Sequence, residues 1–352
     1  MKVEIAVTGA RMRGSFSAAY GEVAERPLIL LALEGEDGVT AFGEAAPLEP
    51  YDGVSVDDVR AALEDCSAVL AGSDGTPREE VLARSRELAV LPQAVAAVDL
   101  ALWDLAGRRA GAPVWRLLGA PEPDPVEVNA TIGAVDRAGA VREAAAAAAA
   151  GYRCVKVKVG VGDDGGRLAA VRAVGGPELA IRVDANGTWS SEEAIAALRA
   201  LAPVGLELCE EPASGLEEIG RVAAATDVPI AIDETAAAPG ALDRRCCEAV
   251  CLKIVRCGGI TGVVEQAARA RRAGYGVYLA STFDGPLGIA AALHAAAVIG
   301  PERACGLATL GLFEEGGLDP LPVRDGRMAV PDGPGLGDGL AGWYRALRRG
   351  AD

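Results

Sequence analysis

The chain alternates hydrophobic and polar positions at two distinct rhythms. Near the start, Leu28-Ile29-Leu30-Leu31-Ala32-Leu33 and Val39-Thr40-Ala41-Phe42-Gly43-Glu44 are β-type runs on either side of Glu34–Gly38, which predicts an antiparallel hairpin. Helical spacing takes over across Asp57–Ala71 and Pro92–Ala110, the second with Val95, Val98, Leu102 and Leu105 on one face. Pro121-Glu122-Pro123-Asp124-Pro125 then breaks both patterns and reads as a linker.

Beyond the linker, strand-like and helix-like segments alternate. The predicted strands are Val126–Ile132, Cys154–Val159, Ala180–Asp184, Gly205–Glu210, Pro229–Asp233, Val250–Val255, Val277–Ser281 and Ala304–Thr309. They recur roughly every 25 residues, with alanine-rich helical stretches between them, and that period suggests a closed (β/α) barrel rather than an open sheet. The Ala144–Ala150 run is read as an ordinary helix, alanine being the best helix former. The pattern divides the chain into residues 1–120, a barrel over 121–315, and a Gly- and Pro-rich tail over 316–352. The tail ends in Trp343-Tyr344-Arg345 and is expected to fold back on the N-terminal part.

Composition narrows the chemistry. With 352 residues, 51% of them hydrophobic, the chain has material for a large core. Against 34 Lys+Arg stand 50 Asp+Glu, a net charge of −16, which repels phosphate backbones and anionic lipid. No nucleic-acid or membrane partner is expected. Met1-Lys2-Val3-Glu4-Ile5 has no apolar signal core and no apolar run is long enough to span a bilayer, so a soluble cytoplasmic protein is expected. The single histidine, His294, cannot build a multi-histidine metal site, which leaves acid–base work to carboxylates and lysines. The eight cysteines lack CxxC spacing and are read as buried thiols. Gly160-Val161-Gly162-Asp163-Asp164-Gly165 fits GxGxxG, but two aspartates would meet the pyrophosphate, so the stretch is read as a βα loop and no dinucleotide is expected.

Polar residues interrupt the apolar strands near their C-terminal ends, the face where barrels carry their active sites. They are Lys156 and Lys158, Asp184 with Asn186, Glu210-Glu211, Asp233-Glu234, and Lys253. A strand-end aspartate commonly just caps a helix. Three carboxylates on adjacent strands flanked by lysines have no packing rationale. Asp184, Glu210 and Asp233 form an all-oxygen set suited to a hard cation, Mg²⁺ or in its place Mn²⁺, with Asn186 supporting it. Lys156 and Lys158 lie two apart on a strand and point the same way. Their mutual repulsion is expected to lower at least one pKa towards the range, about 7–8, of a usable base. Lys253 enters from the opposite side. A metal between two lysines suits removal of a proton α to a carboxylate.

These motifs, taken in order, resemble the enolase superfamily in its muconate-lactonizing subgroup. The resemblance rests on Lys156-Val157-Lys158, Arg182-Val183-Asp184-Ala185-Asn186-Gly187, Cys209-Glu210-Glu211-Pro212, Ile232-Asp233-Glu234-Thr235, Leu252-Lys253-Ile254 with Gly258-Gly259-Ile260, and Phe42-Gly43-Glu44-Ala45-Ala46-Pro47. It implies a (β/α)₇β TIM-type barrel with an α+β capping domain built from both termini. It also implies Mg²⁺ on Asp184, Glu210 and Asp233, and Lys158 and Lys253 as the acid–base pair supported by Lys156. A small-molecule carboxylate substrate and a homo-oligomer complete the picture.

Cys305-Gly306-Leu307-Ala308-Thr309-Leu310 and Ala280-Ser281-Thr282 are similar to the o-succinylbenzoate synthases of menaquinone biosynthesis, which dehydrate a cyclohexadiene carboxylate. Arg256, three residues after Lys253, is similar to the N-succinylamino acid racemases. Substrate contacts are accordingly expected from Asn186, Arg256, Ser281, Thr282 and Asp284. Phe16, Tyr20 and Tyr51 either line the pocket or pack in the core. Racemisation or epimerisation of N-acylamino acids or dipeptides is the alternative activity, although Leu307-Ala308-Thr309 lacks the Asp-x-Asp of the dipeptide epimerases. A catalytically inactive binding protein on the same fold is the third reading.

Overall fold

The computed structural model describes residues 1–18, 21–133, 135–314 and 319–349. Three antiparallel strands open the chain, the long β1 (Lys2–Ala18) and β2 (Gly21–Glu34) and the shorter β3 (Thr40–Ala45). The predicted hairpin is β2–β3, with Glu34 opposite Thr40 and Gly38 at φ +76° in the turn. β1 is absent from the sequence reading because its alternation of Lys2, Glu4 and Val3, Ile5 is short before a polar, glycine-containing stretch sets in.

Helices α1 (Glu49–Asp52), α2 (Val56–Ala71), α3 (Arg78–Leu88), α4 (Pro92–Ala110) and α5 (Val114–Leu117) follow. Proline opens α4, where its missing N–H costs nothing, and left-handed Gly111 closes it. This helix is buried nearly all round because the sheet covers one side and the barrel the other. A Cβ on Gly43 would run into the carbonyl of Ala97, so glycine there lets α4 lie directly on β3.

The second domain alternates β4 (Val126–Glu127), β5 (Ala130–Ile132), α6 (Arg137–Ala149), β6 (Cys154–Lys158), α7 (Asp164–Gly175), β7 (Ala180–Asp184), α8 (Ser191–Leu201), β8 (Leu206–Glu210), α9 (Leu216–Ala225), β9 (Ile230–Ile232), β10 (Ala249–Lys253), α10 (Ile254–Cys257), α11 (Gly259–Arg272), β11 (Gly276–Ala280) and α12 (Pro286–Ile299). Strands β5 to β11 form one parallel sheet in chain order. The protein is thus a two-domain α/β fold, a capping domain on a curled parallel sheet.

Two predicted strands need correction. Val126–Ile132 is two pieces, because β4 leaves the barrel to pair with a tail hairpin, β12 (Val323–Arg324) and β13 (Arg327–Met328). The eighth strand, predicted over Ala304–Thr309, shrinks to Cys305 and Gly306, which bridge to Val128 on one side and Ala280 on the other and so close the ring. Thr309 N bonds back to Leu307 O at 2.8 Å and turns the chain out of the sheet.

The tail therefore meets both domains. After pairing with β4 it docks Leu336 on Asp104 of α4 and ends in α13 (Leu340–Arg349), which packs against β1 and α12. No helix among the described residues is long and apolar enough to cross a membrane.

Candidate active site

Each barrel strand delivers its polar residue by the two-residue alternation of side chains. On β6, Val155 and Val157 are fully buried, while Lys156 and Lys158 project into the barrel mouth. Arg182 sits one register step below Asp184 on β7. It is 1% exposed, pairs with Glu207 at 2.6 Å, donates to Ala304 O at 2.6 Å and lies over the Tyr278 ring at 5.0 Å. That guanidinium fills the barrel interior beneath the site.

At the mouth, charge alternates in space. Lys158 Nζ donates to Asp184 at 2.7 Å and to Asn186 Oδ1 at 2.8 Å. Lys156 Nζ lies 3.1 Å from Asp184 and 2.8 Å from Glu210. Lys253 grips both oxygens of Asp233. Counting Cys305–Gly306 as the eighth stave, β6 and β10 are diametrically opposed, with the three carboxylates on the strands between.

These contacts overturn one expectation. Burial alone would depress Lys156, but Glu210 and Asp184 outweigh it and hold the ammonium well above its usual range. Lys253 is raised in the same way, burial being outweighed by Asp233. At Lys156 the expected lowering is thus reversed by carboxylates that the strand spacing did not rank. Burial of Asp184 is likewise outweighed by Lys158 and Lys156, which keep it below the usual carboxylate range.

The remaining predicted residues separate. Asn186, in the left-handed region at φ +46°, faces the cavity, and its amide nitrogen donates to Glu234 at 2.8 Å. Ser281 and Thr282 also line it. Asp284 does not: it is fully buried behind Thr282, whose N–H and hydroxyl bond its Oδ1 at 3.2 and 2.8 Å. Arg256 stands at the edge, donating to Tyr51 Oη at 3.1 Å and to Glu234 O at 3.4 Å. Tyr20 and the side chain of Phe16 lie outside the described residues. The loop after β6 ties itself together, Asp164 accepting from Gly160 N and Asp163 capping α7 through Gly166 N, as a plain βα loop does.

Four further residues shape the site. Tyr51, from α1, donates to Asp233 at 3.2 Å and accepts from Lys253 at 2.8 Å. Tyr278, two residues before the end of β11, donates to Glu210 at 2.6 Å. Glu211 accepts from Asp233 N and Thr235 N at 2.7 and 2.9 Å, fixing the turn after β9. Burial and then neighbouring Glu234 push it up to about 8. Glu234 itself, half-buried, is pushed up to about 7 by loss of solvent and then by Asp233 beside it. The doubled acids Glu210-Glu211 and Asp233-Glu234 were visible in the sequence, whereas nothing in it singled out Tyr278.

The donor set fits a hard divalent cation. All three carboxylates are buried, Glu210 and Asp233 have ligand atoms within 4.8 Å of one another, and the Lys156 ammonium already stands as a monocation between Glu210 and Asp184. Cys251 Sγ lies within 4.8 Å of candidate ligand atoms on Glu210 and Asp233. Burial, and then Glu210, hold that thiol far above its usual range, so it stays a neutral, poor donor and the oxygens define the site.

Residues 1–119 match the mandelate racemase / muconate lactonizing enzyme N-terminal domain, and residues 139–341 match the enolase C-terminal domain-like family. The chain is similar to N-succinyl-L-Arg/Lys racemase of Bacillus cereus, with 28% identity over 81% of this chain and 80% of that one. It is 41% identical to o-succinylbenzoate synthase of Mycobacterium tuberculosis over 228 residues, 60% of this chain and 67% of the relative. The crystal structure of 2-chloromuconate cycloisomerase from Rhodococcus opacus superposes with a TM-score of 0.91 at 25% identity, covering 99% of this chain and 98% of that one.

Proposed function

The chain belongs to the mandelate racemase / muconate lactonizing enzyme family of the enolase superfamily, and on that premise we propose that it removes a proton α to a substrate carboxylate between Lys158 and Lys253. One observation carries the reading: the two lysines stand on opposite strands of the barrel with Asp184, Glu210 and Asp233 between them.

Those three carboxylates would hold a divalent cation, Mg²⁺ on the family resemblance, which would supply the positive charge that a substrate carboxylate needs as its α-carbon turns anionic. Lys158 accepts the α-proton at Nζ, with Asn186 Oδ1 and Asp184 holding that nitrogen in place and Lys156 sharing the same Asp184 oxygen. Lys253, anchored by Tyr51, faces the opposite side of the carbon and either stabilises the anion or returns a proton. Burial of Lys158, Lys253 and the three carboxylates keeps bulk water from quenching the anion.

Within that chemistry we favour dehydration of the o-succinylbenzoate synthase type, with Lys158 passing its proton to the departing hydroxide. The 41% identity to a synthase supports it. Racemisation of an N-succinylamino acid is the second reading. It is favoured by Arg256 beside Lys253 and by the likeness to a racemase of that substrate class. Incubation with Mg²⁺ in D₂O separates them: dehydration releases an aromatic product, whereas racemisation incorporates deuterium at the α-carbon. The absence of both outcomes across both substrate classes would overturn the proposal.

A further inference from the structure

Phe283 carries a backbone that a phenylalanine rarely adopts. Its φ is +57°, in the left-handed region, yet it is a bulky residue, 8% exposed, that lines the cavity. Strain of this kind persists only where the surroundings over-determine it, and it concentrates at ligand-contacting positions. Here the surroundings do so from both sides. Arg26, fully buried in the cap, donates to Thr282 O at 3.0 Å. Asp284 takes the N–H and hydroxyl of Thr282, and Glu44 of the cap accepts from Gly285 N at 2.8 Å. The same Arg26 guanidinium donates to Ala46 O at 2.6 Å, two residues before Leu48, the cap's apolar contribution to the cavity. One buried arginine thus sets the positions of both apolar walls.

The cavity is divided chemically. Its charged lining comes from β6, β7, β10 and the turn after β9. The β11 side offers Ala280, Phe283 and hydroxyls already engaged, Ser281 with Thr309 at 2.8 Å and Thr282 with Asp284.

We propose that Phe283 is a specificity-determining residue whose ring, together with Leu48, receives an apolar group borne on or next to the α-carbon of the substrate. The inference rests on the carboxylate-binding reading above and names the class of substrate it takes. A ring or branched alkyl group is accepted on the β11 side while the carboxylate lies on the charged side.

The test is equilibrium binding by calorimetry, in Mg²⁺, of N-succinyl-L-phenylalanine and N-succinylglycine to the full-length protein. The two probes share both carboxylates and differ in one apolar group. The wild type is expected to bind the phenyl probe at least tenfold more tightly, and Phe283→Gly to bring the two within about twofold. Phe283→Ala gives the same loss of preference but melts below Phe283→Gly, because only glycine is at ease at this φ. A ratio unchanged in the glycine variant, or a wild type indifferent to the side group, overturns the proposal even where α-proton exchange is found. A tenfold preference that Phe283→Gly abolishes, in a protein without exchange, upholds the wall and removes the catalytic reading instead.

Discussion

The hydroxyl of Tyr51, in the cap, accepts a hydrogen bond from Nζ of Lys253, in the barrel, at 2.8 Å. The phenol ring also lies 4.9 Å from that ammonium, and Arg256 flanks it at 5.3 Å. A candidate catalytic lysine is therefore positioned across the domain boundary. Tyr51→Phe keeps the ring and removes the hydroxyl's three bonds to charged groups, Lys253, Asp233 and Arg256, of which the one to Lys253 is worth about 1.5–3 kcal/mol. We expect kcat/KM to fall about 10- to 100-fold with little change in melting temperature. A variant with wild-type kinetics would leave Tyr51 as packing only.

The lysine pair makes a sharper prediction. Lys158→Ala and Lys253→Ala should each lower substrate turnover or α-proton exchange by about 10²–10⁴, the usual worth of a positioned acid or base. Circular dichroism should show the fold retained. Exchange surviving in Lys158→Ala would move the base elsewhere.

Tyr278 offers a test that needs no substrate. Its hydroxyl is the neutral donor to Glu210, whose other oxygen faces Lys156. Tyr278→Phe should weaken Mn²⁺ affinity about 10- to 100-fold in a titration followed by electron paramagnetic resonance, the range seen when outer partners of metal ligands are removed. Exhaustive chelation should silence any activity. Activity undiminished by it would exclude a metal-dependent reaction.

His294 predicts an acid-sensitive component of stability. Its Nδ1 accepts from Trp115 N and its Nε2 lies against Leu336 O, each at 3.2 Å, an arrangement that requires the neutral ring protonated at Nε2. Burial drives its pKa from 6.5 down to about 4. Because the folded value is depressed, the unfolded chain takes up the proton first. The contribution is complete above pH 6.5 and is lost as pH falls through about 4. The total is roughly 3 kcal/mol, of which about 2 is gone by pH 5. Denaturant unfolding of wild type and His294→Gln at pH 7.5 and pH 5 should show a smaller pH loss in the variant. Equal losses would refute the assignment.

Arg26 should be among the costliest single sites. Removing it orphans the carbonyls of Thr282, Ala46 and Pro47 and leaves Glu44 and Asp284 buried without their nearby cation. Arg26→Met is expected to cost about 3–5 kcal/mol in urea unfolding. A loss under 1 kcal/mol would mean the cap does not depend on this contact.

Much of the site was legible because strands write their chemistry in a period of two. Lys156-Val157-Lys158 and Arg182-Val183-Asp184 disclose, from order alone, which residues share the barrel interior. What stayed hidden depends on contacts between distant stretches of chain. No spacing rule links Tyr278 to Glu210, or Tyr51 to Lys253, across 68 and 202 positions. Asp284 misled for a related reason. It sits next to two residues that line the cavity, but the turn at Phe283 aims it into the domain boundary. Lys156 misled because pairwise repulsion was legible and the distances to its flanking carboxylates, which raise it, were not.

The cap–barrel seam has a consequence for recombination between relatives. Arg26 and Glu44 come from the first strands, Thr282 to Gly288 from the end of the barrel, and Tyr344, which bonds Glu44, from the last helix. A chimaera that takes only its first 120 residues from a homologue keeps two foldable halves but inherits the seam in fragments. The cavity at the barrel mouth takes Leu48 and Tyr51 from just beyond the first of these stretches and Thr282 and Phe283 from the second. Grafting a new specificity onto this scaffold therefore calls for exchanging three separate pieces of sequence together, and a swap of any one alone should be silent at best and insoluble at worst.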